Sequence, residues 1–77
     1  MRLKIFLDIQ SYECLIEHIS REAPSRVAIN AAVLLGNTRV VDCDDTEARD
    51  LLVGARNHCP GAVRRIIEAM LIAGLTP

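Results

Sequence analysis

The sequence predicts an α+β domain of two layers, a small antiparallel sheet with helices on one face. Three observations carry that prediction. Met1 to Ile9 alternates, with Leu3, Ile5 and Leu7 on one side and Arg2, Lys4, Phe6 and Asp8 on the other, the pattern of a half-buried strand. Asp44 to Leu71, DDTEARDLLVGARNHCPGAVRRIIEAML, carries two runs of apolar residues at helical spacing, joined at a Cys-Pro-Gly turn. A shift of the chain that carries Pro24 onto Pro60 also lays the strand and helix of the first half over those of the second.

In chain order, Leu3–Leu7 is the first strand, and Phe6 is an apolar residue on its outer face. Ser11 is placed to N-cap the first helix, with Glu13 favourable in its first turn. Tyr12, Leu15, Ile16, Ile19 and Ala23 form the apolar stripe of that helix, and Pro24 closes it. Ser25 to Leu35, SRVAINAAVLL, reads two ways. As a helix it buries Val27, Ala31, Leu34 and Leu35, and its alanines favour that state. As a strand it alternates Val27, Ile29, Ala31, Val33 and Leu35, and Gly36-Asn37 turns it into a hairpin with Thr38 to Cys43.

The shifted register favours the helix, because Leu34 and Leu35 then fall on Met70 and Leu71 of the last helix. The expected layout is a single domain over residues 1–77, built as tandem βαα units spanning 2–36 and 38–73, with Leu3–Leu7 paired to Arg39–Cys43. The alternative is βαββαα. Asp44 and Glu47 form a capping box for the third helix, whose apolar face is Ala48, Leu51, Leu52, Ala55 and Cys59. The fourth helix starts at Pro60, buries Val63, Ile66, Ile67, Met70 and Leu71, and closes at Gly74 before a Thr76-Pro77 tail.

Composition narrows the function. Hydrophobic residues make up 51% of the chain, yet Phe6 and Tyr12 are the only aromatics, so the core is aliphatic. A chain this short buries only about 60% of its unfolded surface, which leaves apolar area for a partner. Nine basic and ten acidic residues nearly cancel, so no global field draws nucleic acid or lipid. No apolar run reaches the length of a bilayer span. Asp8 interrupts the amino-terminal stretch too early for a secretory signal, and the chain reads as cytoplasmic. Cys14, Cys43 and Cys59 form no CxxC pair and read as buried free thiols in a reducing compartment.

No motif specifies a catalytic chemistry, and the chain reads as a non-enzyme without a cofactor. The acidic residues Asp42, Asp44, Asp45 and Glu47 lack calcium-loop spacing and read as helix caps. Cys14, His18, His58 and Cys59 are the candidate donors for a tetrahedral zinc, against a reading as core thiols with surface histidines. Arg49, Arg56, Arg64 and Arg65 are the candidate basic patch, with Arg21 and Arg26 near the matching turn. Their alternative is a solvated helix surface with pairs such as Arg64–Glu68.

The units KIFLDIQSYECLIEHISREAPSRVAINAAVLL and RVVDCDDTEARDLLVGARNHCPGAVRRIIEAML resemble, in element order, the ribbon-helix-helix plan of small DNA-binding repressors and antitoxins. That resemblance implies base contacts from outward strand residues, here Arg2, Lys4 and Phe6. In the second unit the matching positions are Val40, Asp42 and Asp44, whose carboxylates repel phosphates. The leading expectation is a small interaction or regulatory module that uses an exposed aliphatic surface as a homodimer or with a protein partner. The alternatives are the DNA-binding regulator and a small zinc- or thiol-dependent protein.

Overall fold

The computed structural model of the chain describes residues 1–22 and 32–75, with residues 32–35 described by their backbone. Six elements run in the order β1 (Arg2–Asp8), α1 (Ile9–Glu22), β2 (Ala32–Leu35), β3 (Thr38–Asp44), α2 (Asp45–Ala55) and α3 (Pro60–Ile72). The class is α+β, and the element order is the hairpin layout, βαββαα. The tandem βαα arrangement is corrected at Ala32–Leu35, which forms a strand where a helix was favoured. The remainder of that stretch, with Pro24 and Arg26, lies outside the described residues, as does the Thr76-Pro77 tail.

The reason for the correction lies in the turn. Gly36 has φ +60° and no non-glycine residue has positive φ among the described residues, so Gly36-Asn37 takes the form with a left-handed first position only. That is the type II′ turn, whose twist matches a hairpin. Leu35 therefore lies opposite Thr38 and Ala32 opposite Val41. Backbone groups of β2 find partners on β3, and this tertiary gain outweighs the helix preference of the alanines.

The sheet order is β1-β3-β2, all antiparallel. The expected pairing of the first strand with Arg39–Cys43 is present, with Ile5 opposite Val41 and Leu3 opposite Cys43. Leu3, Ile5, Leu7, Val41 and Cys43 all point inward and are buried, and the helices cover this face. Leu15 and Ile19 of α1, Ala48, Leu51, Leu52 and Ala55 of α2, and Ala62, Ile66 and Met70 of α3 complete the core. The α3 face is rotated from the expected one. Ala62 is buried, whereas Leu71 is 62% exposed.

The caps follow local chemistry with one correction. Because α1 begins at Ile9, its N-cap is Asp8 and not Ser11. Asp8 Oδ1 accepts a hydrogen bond from the Ser11 backbone N–H at 2.7 Å. The first turn of α1 contains no acidic residue, so Glu13 lies beyond it. The α2 capping box is present as expected, with Pro60 in the first turn of α3. At the end of α3 the Gly74 N–H donates to the Leu71 carbonyl and the Leu75 N–H to that of Met70. With Gly74 at φ +78°, this is a Schellman closure, and it turns Leu75 back onto the core.

Candidate functional site

Two places on the molecule gather chemistry. The first is the β1 edge. Among the described residues β1 is hydrogen-bonded to β3 alone, so the backbone groups on its other side face a groove against α3. This open groove has a volume of about 420 Å³ and is lined by Arg2, Lys4 and Phe6 from β1 and by Arg65, Ala69 and Ile72 from α3. Phe6 is 53% and Ile72 88% exposed. Phe6 lies directly opposite Val40 on the outer face of the sheet, where Val40 is buried. The outer face is therefore partly apolar.

The candidate nucleic-acid contacts fall on this same face. Arg2 donates from Nε to Asp42 Oδ1 at 3.2 Å and from Nη2 to the Asp42 carbonyl at 3.0 Å. Lys4 lies opposite Asp42 in the β1–β3 register, and Arg2 lies opposite Asp44. A phosphate approaching Arg2 and Lys4 thus meets two carboxylates on the neighbouring strand.

The second place is where α1 meets the α2–α3 turn. Cys14 on α1 and Cys59, the N-cap of α3, form a disulfide with a Cα–Cα distance of 5.9 Å. This corrects the reading of all three cysteines as free thiols. The spacing in sequence carries no sign of the pairing, which arises because α1 crosses the turn between α2 and α3. Cys43 alone is free, and burial foremost pushes its thiol up to about 11. His18 and His58 flank the bond, their rings stacked with centroids 5.1 Å apart. The structure thus brings together all four candidate zinc donors. Both sulfurs are spent in the bond, however, and a disulfide has no thiolate to give a metal. Among the described residues no group of three or more His, Cys, Asp or Glu is arranged to hold a metal ion.

A depression of about 200 Å³ opens onto this cluster, lined by Cys14, Glu17, His18, Arg21 and His58. Gly54, inside α2, makes room for it. A Cβ built there would lie 3.0 Å from His18 Nε2. An interior glycine costs a helix roughly 0.5–1 kcal/mol relative to alanine, so its presence fits a close approach. Glycine within a helical pattern was the one signal in the sequence that could have located this packing.

The remaining candidates are accounted for locally. Asp44 and Glu47 cap α2, Asp42 holds Arg2, and the Asp45 carboxylate is 4.0 Å from the amino terminus. Arg64 and Arg65 both reach Glu68, at 3.6 and 3.1 Å, and Arg21 reaches Glu17 at 2.8 Å. Arg49 and Arg56 are exposed on α2 and at its C-cap. Arg39 was not foreseen. It points inward opposite Leu7, with its guanidinium carbon 5.8 Å from the Tyr12 ring centroid and its Nη1 buried without a hydrogen-bond partner among the described residues. No helix among the described residues is long and apolar enough to cross a membrane.

No known protein family, curated protein or solved structure matches this chain.

Proposed function

We propose that this chain is a non-enzymatic interaction module that works as a homodimer, its two copies joined edge to edge along β1. The observation that carries the reading is the β1 edge beside the Phe6–Ile72 groove, which no strand pairs among the described residues. A strand edge with unpaired backbone groups is a template for another strand, and unmanaged edges are a liability to a folded protein.

The occupant best matched to this edge is a second copy. An antiparallel β1–β1 pair centred on Ile5 sets Leu3 of one copy opposite Leu7 of the other, and Arg2 opposite Asp8. The two charged pairs that result are complementary by symmetry, as an isologous interface requires. The groove residues Phe6 and Ile72 lie beside the new ladder and lose water when it forms. A standard interface takes about 800 Å² from each partner. Against a total surface of 4709 Å², that is about a sixth of the molecule, an accessible fraction for a domain with so small a core.

The test is light scattering on a size-exclusion column, with and without reductant, combined with hydrogen exchange of β1 amides over a concentration series. The expected result is a dimer whose β1 amides gain protection as concentration rises. Phe6→Glu and Ile72→Glu should each give a folded monomer, because both side chains are exposed and outside the core. A monomer whose β1 amides exchange equally at every concentration would overturn the reading.

A further inference from the structure

The cluster at Cys14 and Cys59 is asymmetric, and the asymmetry is chemical. Cys14 is half-buried and lines two surface depressions, one with His18 and His58 and the other with Ser11, Cys59 and Gly61. Cys59 is only 3% exposed and sits at the amino-terminal end of α3. An incoming thiolate therefore reaches the Cys14 sulfur more readily than that of Cys59. Departure as a thiolate favours the other sulfur, because Cys59 occupies the N-cap of α3, where the positive end of the helix dipole stabilises negative charge.

We infer that Cys14–Cys59 is an exchange-active disulfide, a site for reduction by a dithiol partner, with attack at Cys14 and departure of Cys59. The first thiolate of the dithiol attacks Cys14 Sγ, and the electron pair of the disulfide passes to Cys59 Sγ. A mixed disulfide links the partner to Cys14. The second thiol of the partner then attacks its own linked sulfur, releasing Cys14 as a thiol and leaving the partner as a disulfide. Two electrons pass to this chain, and the two protons of the dithiol end on Cys14 and on Cys59.

The reduced state has a waiting partner. Cys14 Sγ lies 3.2 Å from the His58 carbonyl oxygen. Inside the disulfide it has no proton to donate, and once reduced its S–H donates to that carbonyl. Closure runs the exchange in reverse, with the oxidised partner as oxidant. Cys14 attacks the partner's disulfide to form the mixed disulfide, and Cys59, as a thiolate, then attacks Cys14 Sγ and releases the partner as a dithiol.

The experiment treats the oxidised, folded chain with glutathione under native conditions, quenches with excess alkylating agent, and locates the glutathione by mass spectrometry. The expected product carries glutathione on Cys14 and the alkyl group on Cys59. Reduction by dithiothreitol should run at least about tenfold faster than global unfolding of the same chain. Cys43, buried and unpaired, serves as the internal control that the fold stayed closed. Glutathione found on Cys59, or reduction no faster than unfolding, would overturn the inference and leave the bond a structural cross-link. Separately, Cys59→Ser should form a mixed disulfide with oxidised glutathione at Cys14, and Cys14→Ser should form none at Cys59. The wild-type measurement stands even where a variant fails to fold.

Discussion

Asp44 and Glu47 cap one another at the start of α2. The Asp44 Oδ1 accepts from the Glu47 backbone N–H at 2.8 Å, and the Glu47 Oε2 accepts from the Asp44 N–H at 3.1 Å. Both bonds are partly buried, and Asp44 is also the last residue of β3. The pair therefore fixes the corner where the chain passes from sheet to helix. Asp44→Ala removes one acceptor and leaves the Glu47 N–H unpaired. The expected loss is about 1 kcal/mol of unfolding free energy, read from urea titrations of the two proteins. An unchanged midpoint would mean that water replaces the cap at no cost.

Asp8 caps α1 through its charge. Hydrogen bonds from the Ser11 side chain and backbone hold its carboxyl below the ordinary value of 3.8. A group whose folded value is depressed contributes stability above its unfolded value and loses it as pH falls through the folded one. Asp8→Asn keeps the cap geometry and removes the charge. Wild type should exceed this variant in stability near neutral pH, and the two should converge as the pH falls through the depressed folded-state value, once the carboxyl is protonated in both states. Parallel pH curves for the two proteins would argue against a charge effect.

The Cys14–Cys59 bond closes a loop with a sequence separation of 45. Chain-entropy arguments for a loop of that length put its contribution at about 2–4 kcal/mol in practice. Unfolding in urea with and without a strong reductant should differ by that amount, and Cys14→Ser should match the reduced protein. Equal stability in the two conditions would show that native α1 packing is strained by the cross-link.

Gly54 and His18 compete for the same space. Gly54→Ala places a methyl group 3.0 Å from His18 Nε2, and the imidazole, at the far end of its side chain, has room to yield. The gain in helix propensity should raise stability by roughly 0.5 kcal/mol. The displaced ring should lose its stacking on His58, seen as shifts in both imidazole resonances by NMR. A stability loss above about 1 kcal/mol would show instead that His18 is held rigidly in place.

How much of this was legible in advance varies by element. The alternation of Leu3, Ile5 and Leu7 named the buried face of β1, and Ala48, Leu51, Leu52 and Ala55 named that of α2, because a single buried side imposes its period on the residues. The capping box at Asp44 and the closure at Gly74 were legible for the same reason, since each depends on a few neighbouring residues. For α3 the period was right and the angle was off by about one position. Ala62 is small enough to sit at the contact with the core, so Leu71 turns toward solvent.

The sequence by itself determined the α+β class, the capping box of α2, the closure of α3 at Gly74 and an aliphatic core. Each of these follows from local period, propensity and capping chemistry. Tertiary structure alone decided the state of Ala32–Leu35, the Cys14–Cys59 bond, the His18–His58 stack and the groove between β1 and α3. Each of those depends on groups far apart in the chain. The hairpin wins because β3 offers hydrogen bonds that no local helix preference can match. The cysteines meet because α1 crosses the α2–α3 turn, and distances between elements are set by packing rather than by spacing in the chain.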